Sequence, residues 1–208
     1  MIATLYDVHG NLRALEAVLA EIPGDATIVV GGDVCAGGEQ PSETLELLRG
    51  LGERAVFLRG NADRELYPGE EGLAPPDVIE QTRSQLTAEQ VEFLYRNPPS
   101  VQIGRVLYVH ASPRNDVDIF TERTPEDRIA FLFEGVDADV VVCGHTHTQF
   151  AREIAGTRVV NSGSVGMPYE DEPGAFWTLD LEHRRTPYEG AVAQGREEAV
   201  ALFTERGL

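Results

Sequence analysis

Asp7-Val8-His9 sets a carboxylate and an imidazole two residues apart, and Gly144-His145-Thr146-His147 sets two imidazoles around one small polar residue. Carboxylate oxygens suit hard cations and imidazole nitrogens suit transition metals, so both stretches carry the donor types of a metal site. Asp33 behind Gly31-Gly32, Asn61 behind Gly60, and His110 each add one further candidate donor. Any one of these has an ordinary explanation. Asp-x-His can be a loop-capping Asp beside a surface His, Gly-Asp and Gly-Asn are common turn pairs, and a lone His is more often a hydrogen-bonded core residue than a ligand. Gly-His-x-His after an apolar run is the most specific of the five.

Residues so far apart in the chain can meet only if the segments before them deliver them to one place. Ile2 to Tyr6 runs into Asp7, Thr27 to Val30 into Gly31-Gly32-Asp33, and Ala55 to Leu58, through Arg59, into Gly60-Asn61. Val106 to Val109 runs into His110, Val140 to Cys143 into Gly144-His145, and Arg158 to Val160 into Asn161-Ser162-Gly163. Short apolar runs that stop at Gly or a polar residue read as buried strands whose C-terminal ends open into loops. Between them, Asn11 to Glu21 carries Leu12, Leu15, Val18 and Leu19 at helical spacing, and Ser42 to Leu51 carries Leu45, Leu47 and Leu48. Alternating strand and helix predicts a layered α/β fold with its site at the carboxyl ends of the strands. Ala175 to Leu181 and Ala151 to Ile154 add strands in the second half, so a second sheet is expected. Residues 64–100 break the pattern. Pro68, Gly69, Gly72, Pro75 and Pro76 predict a loop, then a helix near Thr87 to Arg96 that Pro98-Pro99 must end, forming an insertion at the site rim. Gly195 to Arg206 has helical composition, and one domain over 1–208 is expected.

Composition narrows the partners. With 208 residues, 42% of them hydrophobic, the chain can bury one sizeable core. Thirty-five acidic against 17 basic residues give a net charge of -18, a field that repels nucleic-acid backbones and argues against non-specific binding to them. Every fixed positive charge is arginine, because the chain has no lysine. An anionic substrate would therefore need a local cation. No apolar run approaches the ~18 residues of a membrane span, Cys35 and Cys143 are too few for a disulfide framework, and the N-terminus lacks the regions of a signal peptide. The expectation is a cytoplasmic protein without a membrane partner, and an oligomer is compatible with it.

Asp-x-His, Gly-Asp, Gly-Asn, a lone His and Gly-His-x-His, in this order and each at a strand end, resemble the signature of the calcineurin-like metallophosphoesterases. The resemblance runs from Met1 to about Leu181. It includes Asp7-Val8-His9-Gly10-Asn11-Leu12, His110-Ala111-Ser112-Pro113-Arg114 and Asn161-Ser162-Gly163-Ser164-Val165-Gly166, which are similar to the small bacterial and archaeal members. It implies a four-layer α/β/β/α sandwich with two mixed sheets. It also implies that Asp7, His9, Asp33 and His147 hold one divalent metal ion while Asp33, Asn61, His110 and His145 hold a second, with Asp33 bridging. Two divalent cations outweigh two carboxylates, so such a site stays cationic and attracts a phosphate ester. The mixed donors accept manganese, iron, zinc, cobalt or nickel. The implied reaction is phosphodiester hydrolysis by in-line attack of a metal-bridging hydroxide, with Asp33 and His110 serving the chemistry, Arg114 touching a phosphate oxygen, and a small phosphate ester or nucleotide as substrate. A phosphomonoesterase acting on protein or nucleotide, or a non-catalytic metal-binding scaffold, is the alternative. The complete set of seven donors favours the enzyme.

At one position the chain departs from the family pattern. Where the family reads Gly-Asn-His followed by Asp or Glu, this chain has Gly60-Asn61-Ala62-Asp63. The family histidine is taken to stabilise the transferring phosphoryl group and protonate the leaving oxygen. Ala62 can do neither, and Asp63, normally its partner, has no role legible in the sequence. A good leaving group, another proton source or slow catalysis would each answer the loss. Arg59 and Arg114 lie at motif ends where a guanidinium could grip phosphate. Asn11 is a helix cap or a substrate contact, Cys35 and Cys143 read as small strand-end residues, and His183 reads as a surface turn residue. Ser162 and Ser164 lack a base that would make either a nucleophile. Since a general acid contributes ~10² to 10⁴ in rate, Ala62→His should raise turnover of an alkyl phosphomonoester by up to that factor and alter an activated diester little. Unchanged rates on both substrates would remove this explanation.

Overall fold

Successive side chains of a strand point to opposite faces, and in the computed structural model, which describes residues 1–207, that alternation sorts the apolar residues into layers. The strands are β1 (Ile2–Leu5), β2 (Thr27–Val30), β3 (Ala55–Phe57), β4 (Ser100–Ile103), β5 (Val106–Val109), β6 (Val140–Cys143), β7 (Gln149–Ile154), β8 (Thr157–Ser162), β9 (Ala175–Leu179) and β10 (Glu182–Thr186). They form two five-stranded sheets, ordered β10-β9-β1-β2-β3 and β4-β5-β6-β8-β7. Within the first, β1, β2 and β3 are parallel while β9 runs antiparallel to both β1 and β10. Within the second, β5, β6 and β8 are parallel and the two edges are antiparallel. Both sheets are therefore mixed.

On the outer face of the first sheet, Ala3, Leu5, Ile28 and Val30 pack against helices α1 (Leu12–Glu21) and α2 (Pro41–Arg49). The same cluster takes Leu66, beyond helix α3 (Asn61–Glu65), Ile79 from α4 (Pro76–Ser84), and Val91 and Leu94 from α5 (Ala88–Arg96). On the outer face of the second sheet, Val109, Val141, Cys143 and Val159 meet Phe120, Leu132, Phe133 and Ile129, the last from the short α6 (Glu126–Ile129). The inward residues of both sheets, Tyr6, Val29, Leu58, Tyr108 and Val142, form a third cluster between them. Helices, sheet, sheet and helix thus stack as four layers. A last helix, α7 (Arg196–Arg206), follows β10.

Local chemistry explains where the helices begin. Asn11 caps α1 with its Oδ1 accepting from Ala14 N at 3.2 Å. Thr87 and Gln90 form a reciprocal capping box at the start of α5. Pro76 opens α4 where the proline pair reads as loop, because the first turn of a helix needs no N–H from that residue. Neither β4, whose Ser100–Ile103 alternates polar and apolar residues over only four positions, nor β10, which is polar throughout, is expected from the sequence. Both are sheet edges, and Glu182, His183, Arg184 and Arg185 are all exposed, a polar edge that discourages pairing with another chain. His183 therefore sits in a strand, not a turn, with its ring Nε2 3.0 Å from Asn161 O.

Polar groups also join the sheets. Thr4 Oγ1 lies 2.9 Å from Ser162 Oγ and 2.6 Å from Thr178 Oγ1, so Ser162 is committed to the interface. Tyr6 is fully buried and donates from its hydroxyl to Val142 O at 3.0 Å, spanning the gap from the end of β1 to β6. Its ring lies so close to Gly31 that any Cβ there would collide with it. Removing one partner of a buried hydrogen bond costs about 1–3 kcal/mol, and deleting a buried aromatic ring about 3–5 kcal/mol. Tyr6→Phe should therefore lose the smaller amount and Tyr6→Ala the larger in urea unfolding. Equal stability of Tyr6→Phe and the parent would show that the intersheet bond contributes nothing.

Candidate metal centre

All seven candidate donors lie just beyond strand C-termini: Asp7 and His9 after β1, Asp33 after β2, Asn61 after β3, His110 after β5, and His145 and His147 after β6. The chain reverses sharply at these points. Of the eight non-glycine residues with positive φ among those described, five are candidate donors: Asp7 (54°), His9 (48°), Asp33 (53°), His145 (67°) and His147 (58°). A left-handed L-residue costs roughly 1–2 kcal/mol, and such residues persist where the surroundings over-determine them, characteristically at functional sites. The surroundings here are backbone hydrogen bonds between loops. Asp7 N donates to Gly32 O at 3.1 Å, His9 N to Asp33 O at 2.9 Å, Gly166 N to Asp7 O at 3.0 Å, and Tyr169 N to His147 O at 3.0 Å. Ser164 Oγ donates to Asp7 O at 2.7 Å, which makes this serine a support.

Three imidazoles are anchored alike. His9 Nδ1 is 2.6 Å from Ala36 O, His147 Nδ1 2.7 Å from Met167 O, and His110 Nδ1 2.9 Å from Gly31 O. A carbonyl only accepts, so each Nδ1 carries a hydrogen and each Nε2 faces inward. His9 Nε2 and His147 Nε2 come within 3.1 Å of one another. Asp7 Oδ1 lies 3.5 Å from His147 Nε2, 4.0 Å from His9 Nε2 and 3.9 Å from His110 Nε2. His110 Nε2 is also 3.4 Å from Asp33 Oδ2 and 3.1 Å from Asn61 Oδ1. Two groups result, Asp7 with His9 and His147, and Asp33 with His110 and His145, each with its donor atoms within 4.8 Å of one another.

Cations fit these donors. Asp7 Oδ1 and His145 Nε2 are buried without a hydrogen-bond partner among the described residues, and a buried polar atom left so costs about 1–3 kcal/mol. One belongs to each group. Burial alone would raise the Asp7 and Asp33 pKa values, yet His147 with His110 pulls Asp7 down and His110 with His9 pulls Asp33 down. Burial likewise opposes charge on His110, but Asp33 and Asp7 overcome it and raise its pKa to about 10. Burial lowers His145 to about 4, helped by neighbouring His110. The carboxylates thus demand positive charge at the point where the Nε2 atoms meet.

Two acidic residues behind the donors set their positions. Asp63 accepts from Asp33 N at 2.8 Å, Val34 N at 3.0 Å and Gly60 N at 3.1 Å, which ties the loop after β2 to the loop after β3. Burial, followed by the charge of Asp33, raises its pKa to about 7. Gly60 permits this contact, since any Cβ there would collide with Asp33. Glu65 is missed by sequence reasoning. Its carboxylate takes Asn61 Nδ2 at 3.0 Å, Leu73 N at 2.9 Å and Ala74 N at 2.9 Å, turning Asn61 Oδ1 toward His110. The only signal was its place four residues along the same helix face.

The arginines lie outside the cluster. Arg59 donates to Tyr95 O at 2.7 Å and stacks over that ring. Arg114 is exposed, with its guanidinium 5.3 Å from the centroid of Phe131. Asn11 serves as the helix cap and also donates to Gly166 O at 3.0 Å and Tyr188 OH at 3.1 Å. Cys35 and Cys143 are buried free thiols whose pKa values burial pushes up, the wrong direction for a nucleophile at neutral pH.

The profile of the calcineurin-like phosphoesterase superfamily domain matches residues 1–184. An uncharacterized protein of Methanocaldococcus jannaschii is 30% identical over 99% of this chain and 83% of its own length. A symmetrical bis(5'-nucleosyl)-tetraphosphatase of Sodalis glossinidius is 29% identical over 56% of this chain, a match spanning 45% of that relative. Among solved structures, a metallophosphoesterase from Sphaerobacter thermophilus superposes with a TM-score of 0.72 at 26% identity, covering 100% of this chain and 98% of the other.

Because outer partners of metal ligands typically contribute 10–100-fold in affinity, Asp63→Asn should weaken binding of manganese(II) by about 10-fold or more in a calorimetric titration. An unchanged isotherm would mean that the Asp63 carboxylate does not set the donor geometry.

Proposed function

Since this chain belongs to the calcineurin-like phosphoesterase superfamily, and so to the metal-dependent hydrolases of phosphoric ester bonds, we propose that it cleaves phosphodiester bonds with two divalent ions. In this reading Asp7, His9, Asp33 and His147 hold one ion, Asp33, Asn61, His110 and His145 hold the other, and Asp33 is shared. The observation that carries it is the convergence of two donor groups around a buried, unpartnered Asp7 Oδ1 and His145 Nε2. Bound there, the ions would supply Lewis-acid charge and would lower the pKa of water at the site. The mixed oxygen and nitrogen donors accept manganese, iron, zinc, cobalt or nickel.

The chain's own residues do the rest. Backbone carbonyls at Gly31, Ala36 and Met167 hold the Nδ1 hydrogens and keep three Nε2 atoms aimed inward. Asp63 and Glu65 hold Asp33 and Asn61. A cavity of about 380 Å³ beside His9, bordered by Asn11, Arg13, Gln40, Met167 and Tyr188, leaves room for the organic part of an ester. The symmetrical bis(5'-nucleosyl)-tetraphosphatase among the relatives supports a nucleotide substrate with a phosphoanhydride or diester linkage. Ala62 favours the anhydride, because a phosphate leaving group needs less protonation than an alkyl alcohol. Arg114, unpaired with any acidic group among the described residues, is free to meet a phosphate oxygen on moving from Phe131.

A manganese-reconstituted panel of a diester, an alkyl monoester, a cyclic nucleotide and a dinucleoside polyphosphate tests the reading. The diester or the dinucleoside polyphosphate should be hydrolysed fastest, Asp33→Asn should lose about 100-fold or more, beyond the effect of an outer partner, and Arg114→Ala should raise KM. Preference for the alkyl monoester would replace the proposal with a phosphomonoesterase. Hydrolysis by Asp33→Asn at the parent rate would refute it altogether.

A further inference from the structure

We propose that residues 167–171 and α7 form a clamp on the imidazole of His147, with Tyr169 as its positioning residue; the proposal rests on the reading of His147 as a metal ligand. The family profile ends at residue 184, and α7 begins beyond it at Arg196. This helix nevertheless reaches the donor cluster through one aromatic and one ionic connection.

The aromatic connection starts on His147. The ring of Tyr169 lies almost parallel to the imidazole, 5.2 Å between centroids and 15° between planes. The backbone on either side of that stack is bonded to the same histidine, with Met167 O taking its Nδ1 hydrogen at 2.7 Å and Tyr169 N donating to His147 O at 3.0 Å. Phe203 of α7 then packs against Tyr169, with centroids 5.8 Å apart. His147 is thus fixed by a carbonyl, an amide and a ring face, and the ring face is itself backed by α7.

The ionic connection runs beside it. Arg196 donates to both oxygens of the buried Glu170 at 2.6 and 2.7 Å, and to Gln149 O at 2.6 Å. Glu170 Oε1 also accepts from Gln149 N at 2.6 Å, while Gln194 N donates to Glu170 O at 3.0 Å. Asp171 Oδ1 takes Arg196 N at 2.9 Å. One guanidinium therefore ties the segment carrying Tyr169 to the strand that begins two residues after His147. Support of this kind matters because His147 is held at a φ of 58°, a conformation that relaxes unless neighbours oppose it. Free to turn, its Nε2 would no longer stay 3.1 Å from that of His9.

Calorimetric titration of the full chain with manganese(II) chloride tests the clamp. Tyr169→Ala should weaken one of two bound ions by about 10–100-fold, the range for an outer partner of a ligand, and leave the other near the parental affinity. Phe203→Ala, a half-buried change remote from the donors, should act in the same direction and keeps the test valid if Tyr169→Ala melts early. Tyr169→Phe, which keeps the ring, should restore affinity. Glu197→Gln, which breaks an exposed α7 ion pair with Arg123, should titrate like the parent. Parental isotherms from both alanine variants, or equal weakening of both ions, would overturn the clamp and leave the metal reading standing. A parent chain that binds no manganese would overturn that reading and the clamp with it.

Discussion

Asp7 and Asp33 are buried carboxylates, and the site is organised around the cost of keeping them charged. An ionised carboxylate removed from water needs partners. Each has only one oxygen served by a backbone amide, Asp7 Oδ2 by His145 N and Asp33 Oδ1 by Ala62 N, while the other oxygen faces imidazole nitrogen. Those imidazoles cannot turn away, because carbonyls hold their far sides. The same demand accounts for the left-handed residues. Five donors sit on strained backbone so that oxygen and nitrogen reach one spot.

That local demand reverses the character of the molecule as a whole. A chain with a net charge of -18 repels anions at a distance, so a phosphate ester is drawn only to a place where multivalent positive charge is concentrated. Two further carboxylates in the neighbourhood are held by hydrogen bonds. Asp63 and Glu65 each collect three donors and thereby fix loops. With Ala62 beside it, the Asp63 carboxylate joins two donor loops.

Much of this was legible in the sequence because the parallel strands are buried on both faces. Unbroken runs such as Val140 to Cys143 and Thr27 to Val30 mark themselves, and the Gly or Asp that stops each run marks where the site opens. The edge strands β4 and β10 were not legible, β4 because the alternation of Val101 and Ile103 spans only four residues, and β10 because it is polar throughout. The helix opening at Pro76 was hidden because proline marks a loop and a first helical turn alike. Among site residues, direct donors announced themselves by type. Residues acting through a donor did not. Glu65 looks like any surface acid, Tyr169 like any aromatic, and Arg196 like a helical surface charge until hydrogen bonds over long sequence separations are known.

The two sheets contribute different parts of the cluster. Asp7, His9, Asp33 and Asn61 leave the strands of one sheet, and His110, His145 and His147 leave those of the other. Neither sheet owns a complete coordination sphere, and Tyr6 closes the seam between them. In the proposed two-ion site, an ion would meet its full complement of donors only with the two sheets docked, and would then act as a rivet across their boundary.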